Sequence, residues 1–399
     1  MKILHINILY APYDYGGTEV TLQTLVEGMA DRGHEVLVLT TGPEPGLRVD
    51  KINTAKVLRV GVRNIYWQAM REKPAISKRA LWHLADVYNP FMKRIVSEVV
   101  RSEKPDIVSL HNLPGFSVAT WDAVHQAHVP MVQVLHDQYS ICPRCTMFSK
   151  GDICKRQCFP CRILRLFHPR LSNKVSAVVG VSRFILDHHL NHGYFKDTPV
   201  KQVIHNARDF SKLCVEPCLR QDNSVRFGFI GTLTQSKGIE LLLKVFKDMA
   251  GSNLQLHIAG TGPLAYEKLL RDSHAGPDVI FYGVQKPEDF YPSIDVLVVP
   301  SIWNDTFPGV VYEGLAFGKP IIGSRRGGIP EMLKDGVNGL LFDPQRPDEL
   351  KAAMIRMSSD TDFRASASQA AYDASPYFLD INRFLSSYED LYHALCRGT

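Results

Sequence analysis

The sequence predicts an α/β protein of two doubly wound domains, each a parallel sheet flanked by helices. Short β-branched runs alternate with longer amphipathic segments, which is the pattern of repeated β-α units. This alternation occurs as two series, separated by a polar stretch without periodicity at residues 206–224. At about 100–200 residues per domain, 399 residues suffice for two such domains. Ligands of these sheets bind beyond the carboxyl ends of the strands, so two facing sheets would place the site in a cleft.

The first series predicts an amino-terminal domain at residues 1–205. Its strands are expected at 3–8, 35–40, 107–111, 131–135, 177–181 and 202–204. Its helices are expected at 18–32, 82–102, 117–127 and 183–192. The first apolar run is interrupted by His5 and Asn7, so it predicts a buried strand and not a secretion signal.

The second series predicts another domain at residues 225–375, followed by a helical tail at 376–399 that packs back on the first domain. Strands are expected at 225–231, 254–259, 279–282, 295–299, 320–323 and 340–342. Helices are expected at 238–249, 264–274, 308–317 and from 347 onward. No run approaches the ~18 apolar residues of a membrane span, which predicts a cytoplasmic protein, either soluble or peripheral on the inner face of the membrane.

The net charge of +5 conceals an asymmetry. Residues 1–210 hold 27 of the 46 Lys and Arg but 18 of the 41 Asp and Glu, so this half carries 27 − 18 = +9 and the remainder 19 − 23 = −4. A basic half indicates an anionic partner, such as a membrane surface, a phosphorylated substrate or nucleic acid, and a solvated basic face is the alternative.

Several polar motifs follow predicted strands in the first domain. The turn Gly16-Gly17, with Thr18 as N-cap, would bring free helix N–H groups to an anion, although such a turn is as often purely structural. His136-Asp137 and His111-Asn112 each follow a strand, where a histidine can donate to a sugar hydroxyl. With 15 histidines in the chain, a structural role is the alternative for each.

The second domain has the richer set of motifs. Lys237 follows the first strand of its domain, where it could neutralise a diphosphate, and an exposed loop lysine is the alternative. Asp305 follows a later strand, and Glu313 lies inside the next helix among small and apolar residues, where a carboxylate needs a partner that sugar hydroxyls could supply. The chain lacks G-x-G-x-x-G and G-x-x-x-x-G-K-[ST], so dinucleotide and P-loop sites lose their main support.

A cysteine-rich loop at residues 142–161 carries two C-x₂-C pairs. Cys142 with Cys145, and Cys158 with Cys161, have the spacing of a structural zinc site, and reduced packing cysteines or a redox pair are the alternatives. Basic residues, including Lys155, Arg156, Arg162 and Arg165, alternate there with aromatics. This pattern is compatible with nucleic acid and with a phospholipid surface.

Taken together, the motifs resemble the retaining glycosyltransferases of family 4. They occur in order along the chain as Gly-Gly-Thr-Glu19, Ile204-His-Asn206, Gly231 to Gly238, Gly260-Thr-Gly262-Pro, Pro300-Ser301, the Asp305/Glu313 pair and Gly327-Gly328-Ile-Pro-Glu331. The resemblance implies the GT-B fold, with an acceptor-binding first domain and a nucleotide-sugar-binding second domain. In the family pattern Asp305 is usually glutamate and Thr232 is usually arginine, so leaving-group stabilisation would rest on Lys237, helix N-termini and Arg325 or Arg326.

The resemblance also implies a role for each candidate residue. The catalytic candidates are His136, Asp305 and Lys237. The donor-binding candidates are Gly16, Gly17, Thr232, Lys237, Gly262, Tyr282, Phe307, Pro308, Gly309 and Glu313. The acceptor-side candidates are His111, Asn112 and Asp137.

The sequence therefore predicts a retaining glycosyltransferase that moves a sugar from a nucleotide diphosphate sugar to a hydroxyl of a glycan or lipid-linked acceptor, as in cell-surface polysaccharide assembly. No cofactor is expected in catalysis, and nucleic acid is not expected as a partner. The alternatives are a nucleotide-sugar epimerase or hydrolase on the same fold, and a zinc-containing binding protein with a decayed donor site.

Overall fold

The computed structural model describes residues 1–13, 16–70, 74–210, 224–249 and 253–398. The chain forms two compact units. Unit 1 comprises Met1–Met147, Cys154–Asn206 and Asn382–Thr399, and unit 2 comprises Phe148–Ile153 and Ala207–Ile381. Of the linker expected at 206–224, residues 211–223 lie outside the described part of the chain.

Unit 1 is built on an eight-stranded sheet. Its strands are β1 (Lys2–Ile6), β2 (Glu35–Gly42), β3 (Leu47–Ile52), β4 (Ala55–Gly61), β5 (Ile107–Leu110), β6 (Met131–Leu135), β9 (Ala177–Gly180) and β10 (Val200–Val203). They lie in the order β10-β9-β6-β5-β1-β2-β4-β3 and are parallel except for the β3–β4 pair. The helices are α1 (Gly17–Asp31), α2 (Ile76–Ala85), α3 (Pro90–Glu103), α4 (Ala119–Gln126), α5 (Phe159–Leu164), α6 (His168–Ser172) and α7 (Arg183–Asn191). The hairpin β7 (Phe148–Ser149) and β8 (Asp152–Ile153) groups with unit 2.

Two elements of unit 1 differ from the sequence prediction. The helix expected at 82–102 is two helices, because Pro90 begins α3 and the Asn89 side chain accepts from the N–H groups of Phe91 and Met92. That cap gives α3 its own start, after α2 has already ended at Ala85. The antiparallel hairpin β3–β4 was not predicted, since β3 is exposed along its length and lacks an apolar face.

Unit 2 is built on a six-stranded parallel sheet. Its strands are β11 (Val225–Ile230), β12 (Leu254–Ala259), β13 (Val279–Gly283), β14 (Val296–Val299), β15 (Ile321–Ser324) and β16 (Gly339–Phe342), in the order β13-β12-β11-β14-β15-β16. Its helices are α8 (Ile239–Lys247), α9 (Leu264–His274), α10 (Pro287–Phe290), α11 (Gly309–Ala316), α12 (Pro347–Ser359), α13 (Thr361–Ala374) and α14 (Pro376–Leu379). A continuous core joins apolar strand residues such as Phe227 and Leu256 to Leu242 of α8 and Met354 of α12.

The carboxy-terminal helix α15 (Ile381–Arg397) packs on unit 1. Glu389 pairs with Arg32 at 2.6 Å and with His34 at 2.8 Å, and the Tyr392 hydroxyl donates to Ser109 at 2.9 Å. The predicted fold class, two parallel α/β sheets with carboxy-terminal helices, is confirmed. Among the described residues, no helix combines the length and apolar character that crossing a bilayer requires.

Candidate functional site

The sheet of unit 2 has a topological switch point between β11 and β14. After β11 the chain passes through α8 to β12 on one side, whereas β14 lies on the other side of β11. Lys237 ends the 3-10 turn that follows β11, and Asp305 lies in the loop that follows β14. The Lys237 ammonium forms an ion pair with the Asp305 carboxylate and lies 5.4 Å from the centre of the Trp303 ring. The predicted cation and carboxylate therefore meet at the sheet edge where doubly wound domains bind ligands.

Backbone contacts hold these two loops together. The carbonyl of Ser236 accepts from the N–H groups of Ile302 and Trp303 at 2.9 and 3.2 Å. Gly238 has φ +74°, and a Cβ there would lie 1.9 Å from the carbonyl oxygen of Pro300. Only glycine permits this approach, so the position of Lys237 depends on its neighbour.

A second close approach joins the loops after β11 and β12. A Cβ on Gly260 would lie 1.9 Å from the Gly231 oxygen, and a Cβ on Gly262 would lie 2.1 Å from the Leu233 oxygen. The Leu233 N–H donates to Thr261 at 2.9 Å. Gly262 therefore acts by permitting contact between loops, and this contact leaves Thr232 exposed at the same edge.

Glu313 lies in α11 and is 5% exposed. Its carboxylate forms an ion pair with Arg208 and accepts a hydrogen bond from the Tyr291 hydroxyl at 3.0 Å. A buried carboxylate is stabilised by such donors, and both hold its oxygens in a fixed orientation. Neither donor was predicted, because both are remote in sequence from the Asp305/Glu313 motif.

The other donor-side candidates have different surroundings. Phe307 packs in an aromatic cluster with Tyr312 and Phe378 at 5.9 and 6.1 Å between ring centres, so its side chain belongs to the core. Pro308 is the N-cap of α11 and Gly309 its first residue. Tyr282 is 42% exposed on the edge strand β13, two strands away from β11. The Phe307 side chain thus packs among aromatic rings, and Tyr282 lies on an edge strand of the sheet.

Unit 1 also has a switch point, between β1 and β5. Helix α1 begins at Gly17 with Gly16 as N-cap, so the expected N-cap at Thr18 is wrong. The extended Gly16 backbone starts the helix without a side-chain cap. Asn7, after β1, accepts from the Asn112 N–H at 2.9 Å and joins the loops after β1 and β5. Asp14 and Tyr15, which precede the predicted Gly16-Gly17 turn, lie outside the described residues.

Three buried histidines form a hydrogen-bonded row behind this edge. His5 Nδ1 is 3.2 Å from His111 Nε2, and His111 Nδ1 is 3.0 Å from His136 Nε2. Burial lowers the pKa of His5 and of His136 to about 3, and it lowers the pKa of His111 well below its usual value, with His136 and His5 adding to the effect. All three rings are therefore neutral near pH 7, and His136 can act there as a hydrogen-bonding group but not as a cation.

The hydrogen bonds couple the tautomers of His111 and His136. The Ser109 hydroxyl accepts from Tyr392 at 2.9 Å and lies 3.2 Å from His111 Nε2, so its own proton can be donated to that nitrogen. With Ser109 as the donor to Nε2, His111 carries its proton on Nδ1 and donates to His136 Nε2, and the His136 proton lies on Nδ1. Sequence reasoning missed Ser109 and Tyr392, since their contact joins β5 to the last helix.

Asp137 has an environment different from that of His136. Loss of hydration raises the pKa of its carboxyl to about 6, and hydrogen bonds from the Tyr139 N–H and the Cys145 thiol limit the rise. Cys145 therefore donates to Asp137, whereas the Cys161 sulfur lies 3.1 Å from that of Cys158 and 3.9 Å from that of Cys142.

A metal ion needs several His, Cys, Asp or Glu side chains whose ligand atoms lie close together. Among the described residues, one group of at least three such side chains has its ligand atoms within 4.8 Å of one another, and it consists of His34, Glu389 and His393. The four cysteines predicted to bind zinc do not form such a group.

Comparisons with known proteins agree with this architecture. A family model described as glycosyl transferases group 1 matches residues 217–374, and one described as glycosyl transferase 4-like domain matches residues 16–206. An uncharacterised 42.6 kDa protein in the cps region of Klebsiella pneumoniae is 30% identical over 338 residues, which are 83% of this chain and 87% of that protein. An uncharacterised glycosyltransferase of Methanocaldococcus jannaschii is 26% identical over 91% of this chain and 90% of its own.

Solved structures match over the whole chain. Sucrose-phosphate synthase from Thermosynechococcus elongatus has a TM-score of 0.76 at 17% identity and is covered completely, as is this chain. Anabaena HepE in complex with UDP has a TM-score of 0.71 at 18% identity, over 99% of this chain and 100% of that one. At sequence identities this low, the structural similarity shows that the chain shares the fold of these proteins and nothing further. The two family models and the Klebsiella relative show more: the chain belongs to the glycosyl transferases group 1 family and is a glycosyltransferase with the GT-B fold.

Proposed function

We propose that this protein is a retaining glycosyltransferase that moves a sugar from a nucleotide diphosphate sugar to a hydroxyl of a glycan or lipid-linked acceptor in polysaccharide assembly. The observation that carries the proposal is the Lys237–Asp305 ion pair at the switch point of unit 2. A cation fixed there suits a diphosphate, and a carboxylate beside it suits a sugar hydroxyl. Solved structures of HepE with UDP and with UDP-glucose support a nucleotide sugar as donor.

In this proposal Lys237 is the principal cation for the departing diphosphate. Thr232 contributes no charge, and Arg325 and Arg326 are paired with Asp335 and Asp343 at 2.6 and 3.1 Å. Lys237 itself exchanges its Asp305 contact for phosphate oxygens when the donor binds. Charge that develops on the leaving group is then stabilised by a cation already in position.

Glu313 accepts hydrogen bonds from the ribose hydroxyls of the donor. Arg208 and Tyr291 hold its carboxylate in orientation before the nucleotide arrives. A carboxylate that is already oriented loses little conformational entropy when the nucleotide binds, and this increases the affinity. Gly309 begins the same helix, and a Cβ there would lie 3.3 Å from Glu313 Oε1, so glycine keeps space beside this carboxylate.

On the acceptor side, the neutral His136 donates through Nδ1–H to a sugar hydroxyl, and His111, Asn112 and Asp137 complete that edge of unit 1. The bond between the anomeric carbon and the phosphate oxygen breaks, and the bond to the acceptor oxygen forms on the same face. The acceptor proton passes to an oxygen of the leaving phosphate. In this proposal no metal or cofactor takes part in the step, and every atom that is transferred comes from the donor or the acceptor.

The product anomer tests this proposal. Thermal shifts with UDP, GDP, ADP and dTDP sugars identify the donor, since a bound ligand raises the melting temperature by mass action. Transfer from that donor is then followed by NMR, and we expect the product to keep the anomeric configuration of the donor. Inversion would contradict retention, and equal donor consumption without any acceptor would favour the hydrolase or epimerase alternative. Lys247→Met, an exposed lysine of α8, is the matched control for variants at Lys237.

A further inference from the structure

We propose that α2, α5 and α6 of unit 1 present a docking face for an anionic lipid bilayer. The α5 segment exposes large apolar side chains: Phe159 is 75%, Ile163 55%, Leu166 67% and Phe167 64% exposed. Phe159 and Ile163 lie one turn apart on α5, and Leu166 and Phe167 lie in the turn between α5 and α6. An apolar face directed to solvent is unusual in a helix and marks an interaction surface.

Buried contacts on the opposite side of the α5 segment fix its orientation. Cys161, Arg165 and His168 are buried. Arg165 is 1% exposed, donates from Nε to the Tyr139 carbonyl at 3.0 Å, and stacks 4.7 Å from the centre of the Tyr139 ring. Rotation of the helix to bury its apolar face would break these contacts. Arg165 is therefore a structural residue and contributes no charge to the surface, contrary to its grouping with the basic residues of the loop.

Helix α2 extends the same kind of surface next to α6. His168 Nε2 lies 3.0 Å from the carbonyl of Val87, two residues after α2, so the start of α6 is held close to the end of α2. On α2, Ile76 is 81%, Leu81 53% and Leu84 58% exposed. We call these exposed apolar residues of α2 and α5–α6 the apolar face.

The charged residues around the apolar face indicate which kind of partner binds it. Residues 74–85 and 153–173 contain no Asp or Glu. Exposed cations flank the apolar side chains in both segments: Lys78, Arg79, Lys155, Arg156, Arg162 and Arg170. A second copy of this face would set cations against cations, which disfavours a symmetric dimer. Hydrocarbon below a layer of anionic headgroups matches both features, because the apolar side chains enter the acyl boundary while the cations remain at the phosphates.

The cations beside the apolar face account for part of the positive charge of residues 1–210. Apolar insertion and charge attraction are two separate signals, and stable peripheral binding requires more than one. The proposal is independent of the donor site, since the residues of the face lie in unit 1 and the donor candidates Lys237, Asp305 and Glu313 lie in unit 2.

Vesicle sedimentation of the full chain tests the proposal. We expect the protein to bind mixed phosphatidylglycerol–phosphatidylcholine vesicles and not pure phosphatidylcholine vesicles. Replacing Lys155, Arg156, Arg162 and Arg170 by Gln should lower the partition coefficient about fivefold for each cation, the equivalent of ~1 kcal/mol. The matched control, in which Lys244, Lys247, Lys268 and Lys286 of unit 2 become Gln, has the same net charge and should bind as the parent does.

A second variant isolates the apolar contribution. Phe159→Ser with Phe167→Ser should reduce binding at least about tenfold, whereas Leu264→Ser, at a residue 86% exposed in unit 2, should not. Thermal shifts with the donor should be unchanged in every variant, which separates failure of this proposal from failure of the proposed function. No binding of the parent to anionic vesicles, or equal losses in the controls, would overturn it. So would tighter binding to polyglutamate than to vesicles, or self-association that the Phe variants abolish.

Discussion

Replacing Gly238 by alanine tests the contact that positions Lys237. Alanine at φ +74° costs about 1–2 kcal/mol because its Cβ crowds the following carbonyl. The Cβ would also lie 1.9 Å from the Pro300 oxygen, where ordinary contacts begin at 3.4 Å, so a loop must move by more than an ångström. Such overpacking adds about 1–3 kcal/mol. We expect a total loss of about 2–5 kcal/mol in the free energy of unfolding.

Two other glycines of unit 2 provide matched controls. Gly336 has φ +75°, but among the described residues no neighbour lies within 4 Å of the place that a Cβ would take, so Gly336→Ala isolates the backbone cost of about 1–2 kcal/mol. Gly276 has open space and no positive φ, so Gly276→Ala should be neutral or stabilise by about 0.4–1 kcal/mol. Urea unfolding measures all three, and only Gly238→Ala should also weaken donor binding. Equal losses for Gly238→Ala and Gly336→Ala would refute the close approach of the two loops.

Three further predictions concern the buried polar groups. Tyr291→Phe removes one hydrogen bond to Glu313 and should weaken donor binding by up to about 3 kcal/mol, measured by calorimetry, with a nearly unchanged fold. The buried histidine row should destabilise unit 1 in acid. The unfolded rings of His5 and His136 bind protons below pH ~6.5, whereas the folded rings do so only near pH 3. Their contribution to stability is therefore present above pH ~6.5 and falls on acidification, by about 2 kcal/mol for each of these two rings at pH 5, in chemical unfolding at several pH values. Asp86 and Asp137, whose pKa values burial raises to about 7 and about 6, oppose this fall, so the test compares the parent with His5→Gln: the same pH dependence in both would contradict the burial of the His5 ring. With Ser109 as the donor to His111, nitrogen NMR should show the His136 proton on Nδ1, and a proton on Nε2 would contradict that role of Ser109.

Much of the fold follows from local sequence. Buried parallel strands are short apolar runs, and the glycine-rich loops after them are visible as motifs, so Lys237, Asp305 and Glu313 could be identified as candidates from the sequence alone. The contact between Lys237 and Asp305 follows from the order of the strands, in which β11 and β14 are neighbours. Strand order is a long-range property that local sequence does not define.

What the sequence did not predict depends on contacts between distant segments. Arg208 is 105 residues from Glu313 along the chain, and Tyr392 is 283 residues from Ser109. The exposed face of α5 was likewise not predicted, because Phe159 and Phe167 are residue types typical of a core, and only their exposure shows that no described part of unit 1 covers them. Cys145 was grouped with other cysteines by spacing, whereas its hydrogen bond to Asp137 could not be inferred from spacing.

Calorimetry with Lys237→Met tests most directly whether the β11–β14 edge binds the diphosphate of a sugar donor. The titrants are the nucleoside diphosphate of the identified donor and the corresponding nucleoside. We expect the variant to bind the diphosphate roughly 10- to 100-fold more weakly than the parent, the range of a charge-assisted hydrogen bond, and to bind the nucleoside unchanged. Unchanged diphosphate affinity, or an equal loss for both titrants, would contradict the placement of the diphosphate at Lys237.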